Sequence, residues 1–102
     1  MNKIFYTLLA LLITSPSHAA LNVFACEPEW AALTQQLAGD KASIYIATGA
    51  LQDPHRIEAR PSLIAKARNA KLLVCTGAEL EVGWMPVVLR ESGNTAVAEG
   101  SL

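Results

Sequence analysis

Lys71-Leu72-Leu73-Val74-Cys75-Thr76 is an apolar run without alternation, closed by Gly77. A strand that is polar on one face alternates, so an unbroken apolar run predicts a strand covered on both faces, as in a parallel sheet. Two earlier segments also read as strands. Leu21 to Cys26 is short and mostly apolar, with Val23 and Phe24, and Ala42 to Thr48 contains Ile44, Tyr45 and Ile46, the branched and aromatic types that favour a sheet.

Helical patterns separate these runs. Glu27-Pro28-Glu29 places a proline and acids where a helix opens, Trp30, Leu33 and Leu37 recur at i, i+3 and i+7, and Gly39 stops the pattern. Pro61 or Ser62 opens a second helix with Leu63, Ile64, Ala67 and Ala70 on one face. Trp84 with Val88, and Met85 with Leu89, predict a third helix starting near Gly83, so that Pro86 falls in its first turn; Ser92-Gly93-Asn94 ends it. Thr95 to Leu102 shows no periodicity and reads as an irregular tail. There is no internal repeat and no low-complexity segment.

Strand, helix, strand, helix, strand, helix specifies an α/β fold: a three-stranded parallel sheet of order 2-1-3 with right-handed crossovers and flanking helices. Ligands of such sheets sit outside the carboxyl ends of the strands. That edge gathers Cys26 with Glu27, the loop carrying His55, and Cys75 through Glu79. Three parallel strands are an incomplete sheet, because parallel sheets are normally buried on both faces.

The first residues predict export. Lys3 provides a positive start, Ile4 to Ile13 an apolar run, and Ser17-His18-Ala19 small residues at a cleavage point after Ala19. The run is shorter than the ~20 apolar residues of a spanning helix and ends in Ser-Pro-Ser, so residues 1–19 read as a removed signal peptide, 20–94 as one α/β lobe and 95–102 as the tail. No later stretch is long enough to span a bilayer. Eight basic side chains face nine acidic ones, and Lys3 leaves with the leader, so no basic tract exists to neutralise a run of phosphates and nucleic acid is an unfavoured partner.

His55 lies in a proline-bounded loop, Asp53-Pro54-His55-Arg56-Ile57-Glu58-Ala59-Arg60-Pro61-Ser62, and is the histidine that remains once His18 is removed. By position it is open to three roles: metal ligand, general base or polar surface residue. Cys26 and Cys75 are too far apart for a Cys-x-x-Cys redox motif, and order 2-1-3 brings them to the same sheet edge. Three readings compete for them: buried packing, a disulfide, and a Cys₂His zinc site with His55.

The ordered set Asp53-Pro54-His55, Glu58, Pro61-Ser62, Leu72-Leu73-Val74-Cys75, Gly77 and Leu80-Glu81 before Trp84 resembles the zinc/manganese solute-binding proteins of bacterial ABC transporters. The resemblance runs from the first strand to about Asn94. It departs at Asn69-Ala70-Lys71, where the family often has Ala-Asp. It implies two α/β lobes joined by a long helix, with the metal held between them and delivered to a membrane permease. The family's first ligand maps onto His55, and its other ligands, its second lobe and its histidine-rich loop lie beyond Leu102, so the chain reads as an amino-terminal lobe from a truncated gene, a frameshifted reading or a fragment.

On that basis the chain is expected to be a periplasmic metal-capture component without catalytic activity, binding Zn²⁺ or Mn²⁺ only weakly through one imidazole. Glu58 is a candidate acceptor behind His55, set against a solvated carboxylate or an ion pair with Arg56 or Arg60. Asp53 is assigned to capping the turn, Glu79 and Glu81 to a helix start, and Trp30, Trp84 and Met85 to packing. The rival readings are a non-functional truncated product and an exported hydrolase using His55 as base, the latter without a Gly-x-Ser-x-Gly turn to support it.

Overall fold

The computed structural model describes residues 20–98. The expected signal peptide lies outside the described residues, as does the tail beyond Ala98. Three strands, β1 (Leu21–Ala25), β2 (Ala42–Ile46) and β3 (Leu72–Val74), form a parallel sheet in the order β2-β1-β3. The predicted topology therefore holds. The register pairs Val23 with Ile44 on one side and with Leu72 on the other. Pairing continues past the strand ends through Ala47 N–H to Ala25 O and Cys26 N–H to Val74 O, both 2.9 Å.

Helix α1 (Pro28–Ala38) joins β1 to β2, α2 (Pro61–Arg68) joins β2 to β3, and α3 (Met85–Ser92) follows β3. Each has proline in its first turn, where a missing N–H costs no helical bond. Phe24 of the central strand and Cys26 just beyond it pack with Leu63 and Ala67 of α2, with Trp84, and with Met85 and Val88 of α3. Val23, Ala25 and Ala31 are also buried, on the side where α1 crosses β1 and β2. The second and third helical stripes thus face the core as their spacing predicts.

Two expectations are corrected. The stripe of α1 is not its buried face: Trp30 is half-buried, Leu37 is 80% exposed, and small Ala31 makes the close approach to the sheet. β3 is not covered on both faces. It is three residues long at the open edge of the sheet, Leu72 is 44% exposed, and its outer side borders a groove of about 700 Å³. The apolar run therefore marks surface that the described residues leave uncovered.

The tail also differs from expectation, because Thr95–Val97 forms a 3₁₀ turn whose Val97 is buried in the core. Asn94 holds it there. Its Nδ2 donates to Ala67 O (2.9 Å) and Ala70 O (2.7 Å) at the end of α2, while its Oδ1 accepts from Ala96 N–H (3.0 Å). Gly93 precedes it at φ +63°, a left-handed cap that an L side chain would strain.

Candidate metal-binding edge

The carboxyl ends of the three strands carry the polar chemistry. After β2 the chain reaches a 3₁₀ turn, Pro54–Arg56, capped by Asp53. Asp53 Oδ1 accepts from both the His55 backbone N–H (3.0 Å) and the His55 ring Nδ1 (2.9 Å), and Arg56 Nε stands 3.8 Å from Oδ2. The backbone N–H of His55, and then its ring, hold the Asp53 carboxyl below the usual carboxylate range. An ionised acceptor at Nδ1 fixes the proton there and leaves the Nε2 lone pair pointing away from Asp53. The His55 side chain is 63% exposed, so that nitrogen is open to a ligand.

This reassigns the partner of His55. Glu58 is exposed and makes no side-chain bond to the ring, so the acceptor behind the histidine is Asp53, which also caps the turn. A residue two positions away closes a local ring through Pro54, which explains the choice over a residue three positions further on.

The loop is held from beneath. Trp84 is fully buried, and its Nε1–H donates to Pro54 O at 2.7 Å. Next to it, a Cβ on Gly83 would stand 2.9 Å from His55 O, so only glycine permits this approach. Trp84 is a packing residue as expected, with a second role as an anchor for the histidine loop.

A second polar cluster lies at the ends of β1 and β3. Cys26 Sγ and Cys75 Sγ are joined in a disulfide, with their Cα atoms 4.8 Å apart. With both sulfurs bonded to each other, the alternative Cys₂His site is not formed, and the ligand-type side chain grouped with the sulfurs is the Glu81 carboxylate, not the His55 ring. Glu81 is buried and does not merely open a helix: its two oxygens accept from Thr76 N–H (2.9 Å) and Gly77 N–H (3.0 Å). These bonds restrain a turn in which Gly77, Ala78 and Glu79 all have positive φ, a conformation costly for the latter two.

Glu27 is buried beside this turn. Trp30 Nε1–H donates to Thr76 Oγ1 (2.7 Å), and the Thr76 hydroxyl donates onward to Glu27 Oε1 (2.8 Å). Burial raises the Glu27 carboxyl to about 7, helped by the neighbouring Glu81 carboxyl and opposed by Thr76. Oε2 is buried without a hydrogen-bond partner. The sequence places Glu27 at this edge and Glu81 near a helix start, but not the bonds of Glu81 to Thr76 and Gly77, because they depend on the turn that reverses the chain after Gly77.

A carboxyl with a raised native pKa favours the folded state most where both states are protonated, below about 4.5, and loses that contribution as pH rises through about 7. Asp53, shifted the other way, titrates below this window. The melting temperature of the wild-type chain should therefore fall between pH 5 and 8, and Glu27→Gln should flatten the profile over that range. Parallel thermal melts of the two proteins check this; identical slopes contradict it.

An open parallel sheet with a histidine, carboxylates and a restrained turn at its carboxyl edge defines an α/β ligand-binding lobe. The chain matches the family model for the zinc-uptake complex component A, periplasmic (ZnuA), over residues 23–101. It belongs to that family of metal ABC transporter substrate-binding proteins. It is 36% identical over 70 residues to the manganese ABC transporter substrate-binding lipoprotein scaA of Streptococcus gordonii, an alignment covering 69% of this chain and 23% of the relative. The metal ABC transporter substrate-binding lipoprotein ScbA of Streptococcus cristatus is 34% identical over the same shares. The chain thus spans 23% of the length of these relatives.

Zn(II)-bound AdcA from Streptococcus pneumoniae superposes with a TM-score of 0.63 at 28% identity, covering 78% of this chain and 17% of that one. A ZnuA crystal structure gives a TM-score of 0.69 at 21% identity, over 80% and 33% of the two chains, and supports the fold. None of the helices among the described residues is long and apolar enough to cross a membrane.

Proposed function

We propose that this chain contributes one lobe to the capture of Zn²⁺ or Mn²⁺ for an ABC importer, with His55 as a ligand through Nε2. The observation that supports this most is the Asp53–His55 pair, which orients an exposed imidazole at the ligand-bearing edge of the sheet. Neutral imidazole with its other N–H on a carboxylate is the arrangement usual for a histidine on zinc. One imidazole alone makes a weak site, and high affinity requires donors from outside the described residues.

The leader-like residues 1–19 favour export to the periplasm, from where the metal would be delivered to a membrane permease. The reading requires no catalytic step. His55 and Asp53 would suit a hydrolytic dyad, yet no Ser, Thr or Cys side chain among the described residues bonds to the ring, so the geometry favours a ligand over a base.

Nitrogen-detected NMR of the histidine ring tests the assignment. Zinc should shift Nε2 of His55 while Nδ1 keeps its proton. A zinc response confined to other residues would overturn it.

A further inference from the structure

We propose that the Cys26–Cys75 disulfide masks a second metal site: when it is reduced, the two thiolates and Glu81 hold a thiophilic divalent cation of the zinc class. The two Sγ atoms and a carboxylate oxygen of Glu81 lie within 4.8 Å of one another. Zinc bound to sulfur at ~2.3 Å and to carboxylate oxygen at ~2.0–2.2 Å can bridge donors so spaced. His55 is not among them, so this site is separate from the one at the loop.

A further buried donor adjoins this cluster. Glu27 is 1% exposed, its carboxyl interacts with Glu81, and Oε2 is a buried oxygen without a hydrogen-bond partner. Thr76 holds Oε1, and this carboxyl stands beside Glu81, outside the group of three donors. Two thiolates beside the Glu81 carboxylate gather negative charge in a largely buried place once the thiol protons leave, and a divalent cation is the species that offsets it.

The sulfurs differ in access. Cys26 is fully buried, whereas Cys75 is half-buried and lines the groove along β3 together with Glu81 and Met85. A dithiol reductant entering there attacks Cys75 Sγ as a thiolate, and Cys26 leaves as a thiolate. The second thiol of the reductant then attacks the mixed disulfide, releasing Cys75 and closing the reductant's own disulfide. Two electrons pass to the protein. The two protons from the reductant reside on the cysteines until the cation displaces them into solvent.

The test uses the chain carrying His55→Ala, which removes the loop site so that failure of that assignment cannot be confused with failure of this one. Cobalt(II) is titrated into the oxidised chain, and into the chain reduced by a dithiol that is then removed without air. Only the reduced chain should develop thiolate-to-cobalt absorption, at one ion per chain, and zinc should displace it. Glu81→Gln should weaken binding by roughly tenfold or more. Because the reduced chain without metal is expected to lose structure, far-ultraviolet circular dichroism is followed in parallel, and zinc should restore the folded spectrum. A reduced chain that neither absorbs nor refolds with metal overturns the proposal. Binding insensitive to Glu81→Gln rejects the site as built.

Discussion

Cutting the Cys26–Cys75 bond, by reduction with a chelator present or by replacing both residues with alanine, should lower stability by about 4 kcal/mol. The estimate follows from the loop closed by two cysteines 49 positions apart, whose opening restores freedom to the unfolded chain. The position of the bond makes the loss felt. β3 pairs with β1 over three residues at an open edge, and the disulfide ties the two strands just beyond that pairing. A small domain has little surplus stability, so a fall in melting temperature of roughly 15–30 °C is expected, enough to unfold much of the chain at growth temperature. Thermal unfolding followed by circular dichroism, with and without reductant, measures it. Coincident melts would show that the strand pairing and core suffice without the bond.

Trp84→Ala should cost about 3–5 kcal/mol, the range for removing a large aromatic side chain from a core. Trp84 is fully buried among Phe24, Leu63 and Val88, which belong to β1, α2 and α3, so nothing nearby can collapse into the space without separating a helix from the sheet. Trp84→Phe separates the two roles of the residue. It keeps most of the packing and removes the N–H that holds Pro54 O, leaving that carbonyl without its donor at about 1–3 kcal/mol. Since the same bond fixes the loop carrying His55, Trp84→Phe should also weaken zinc binding while the fold persists. Denaturant unfolding and zinc titration on both variants test this. A Trp84→Phe protein with unchanged metal affinity would show that Asp53 alone orients the ring.

Topology was legible because it rests on local patterns: three strand-like runs, a proline at each helix start, and Gly93 where α3 ends. The burial of β3 was not, because an apolar run shows that a strand seeks cover and says nothing of whether the described chain supplies it. The same limit applies to α1, where Leu33 and Leu37 have helical spacing and still face solvent. The place of His55 at the carboxyl edge of the sheet could be read from its loop and from the topology. Its partner could not, since Asp53 and Glu58 are both near in sequence and the turn at Pro54 decides between them. The role of Glu81 in the turn was hidden for a related reason. Its bonds to Thr76 and Gly77 exist only because Gly77, Ala78 and Glu79 reverse the chain, and positive φ at Ala78 and Glu79 is not something those residue types announce.

The assignment of His55 as a metal ligand is tested most directly by isothermal titration of zinc into the oxidised chain freed of residues 1–19, beside the same chain with His55→Ala. Weak binding of one ion, abolished by the substitution while the melting curve is unchanged, is the predicted result. Binding of equal strength in the His55→Ala chain would contradict it.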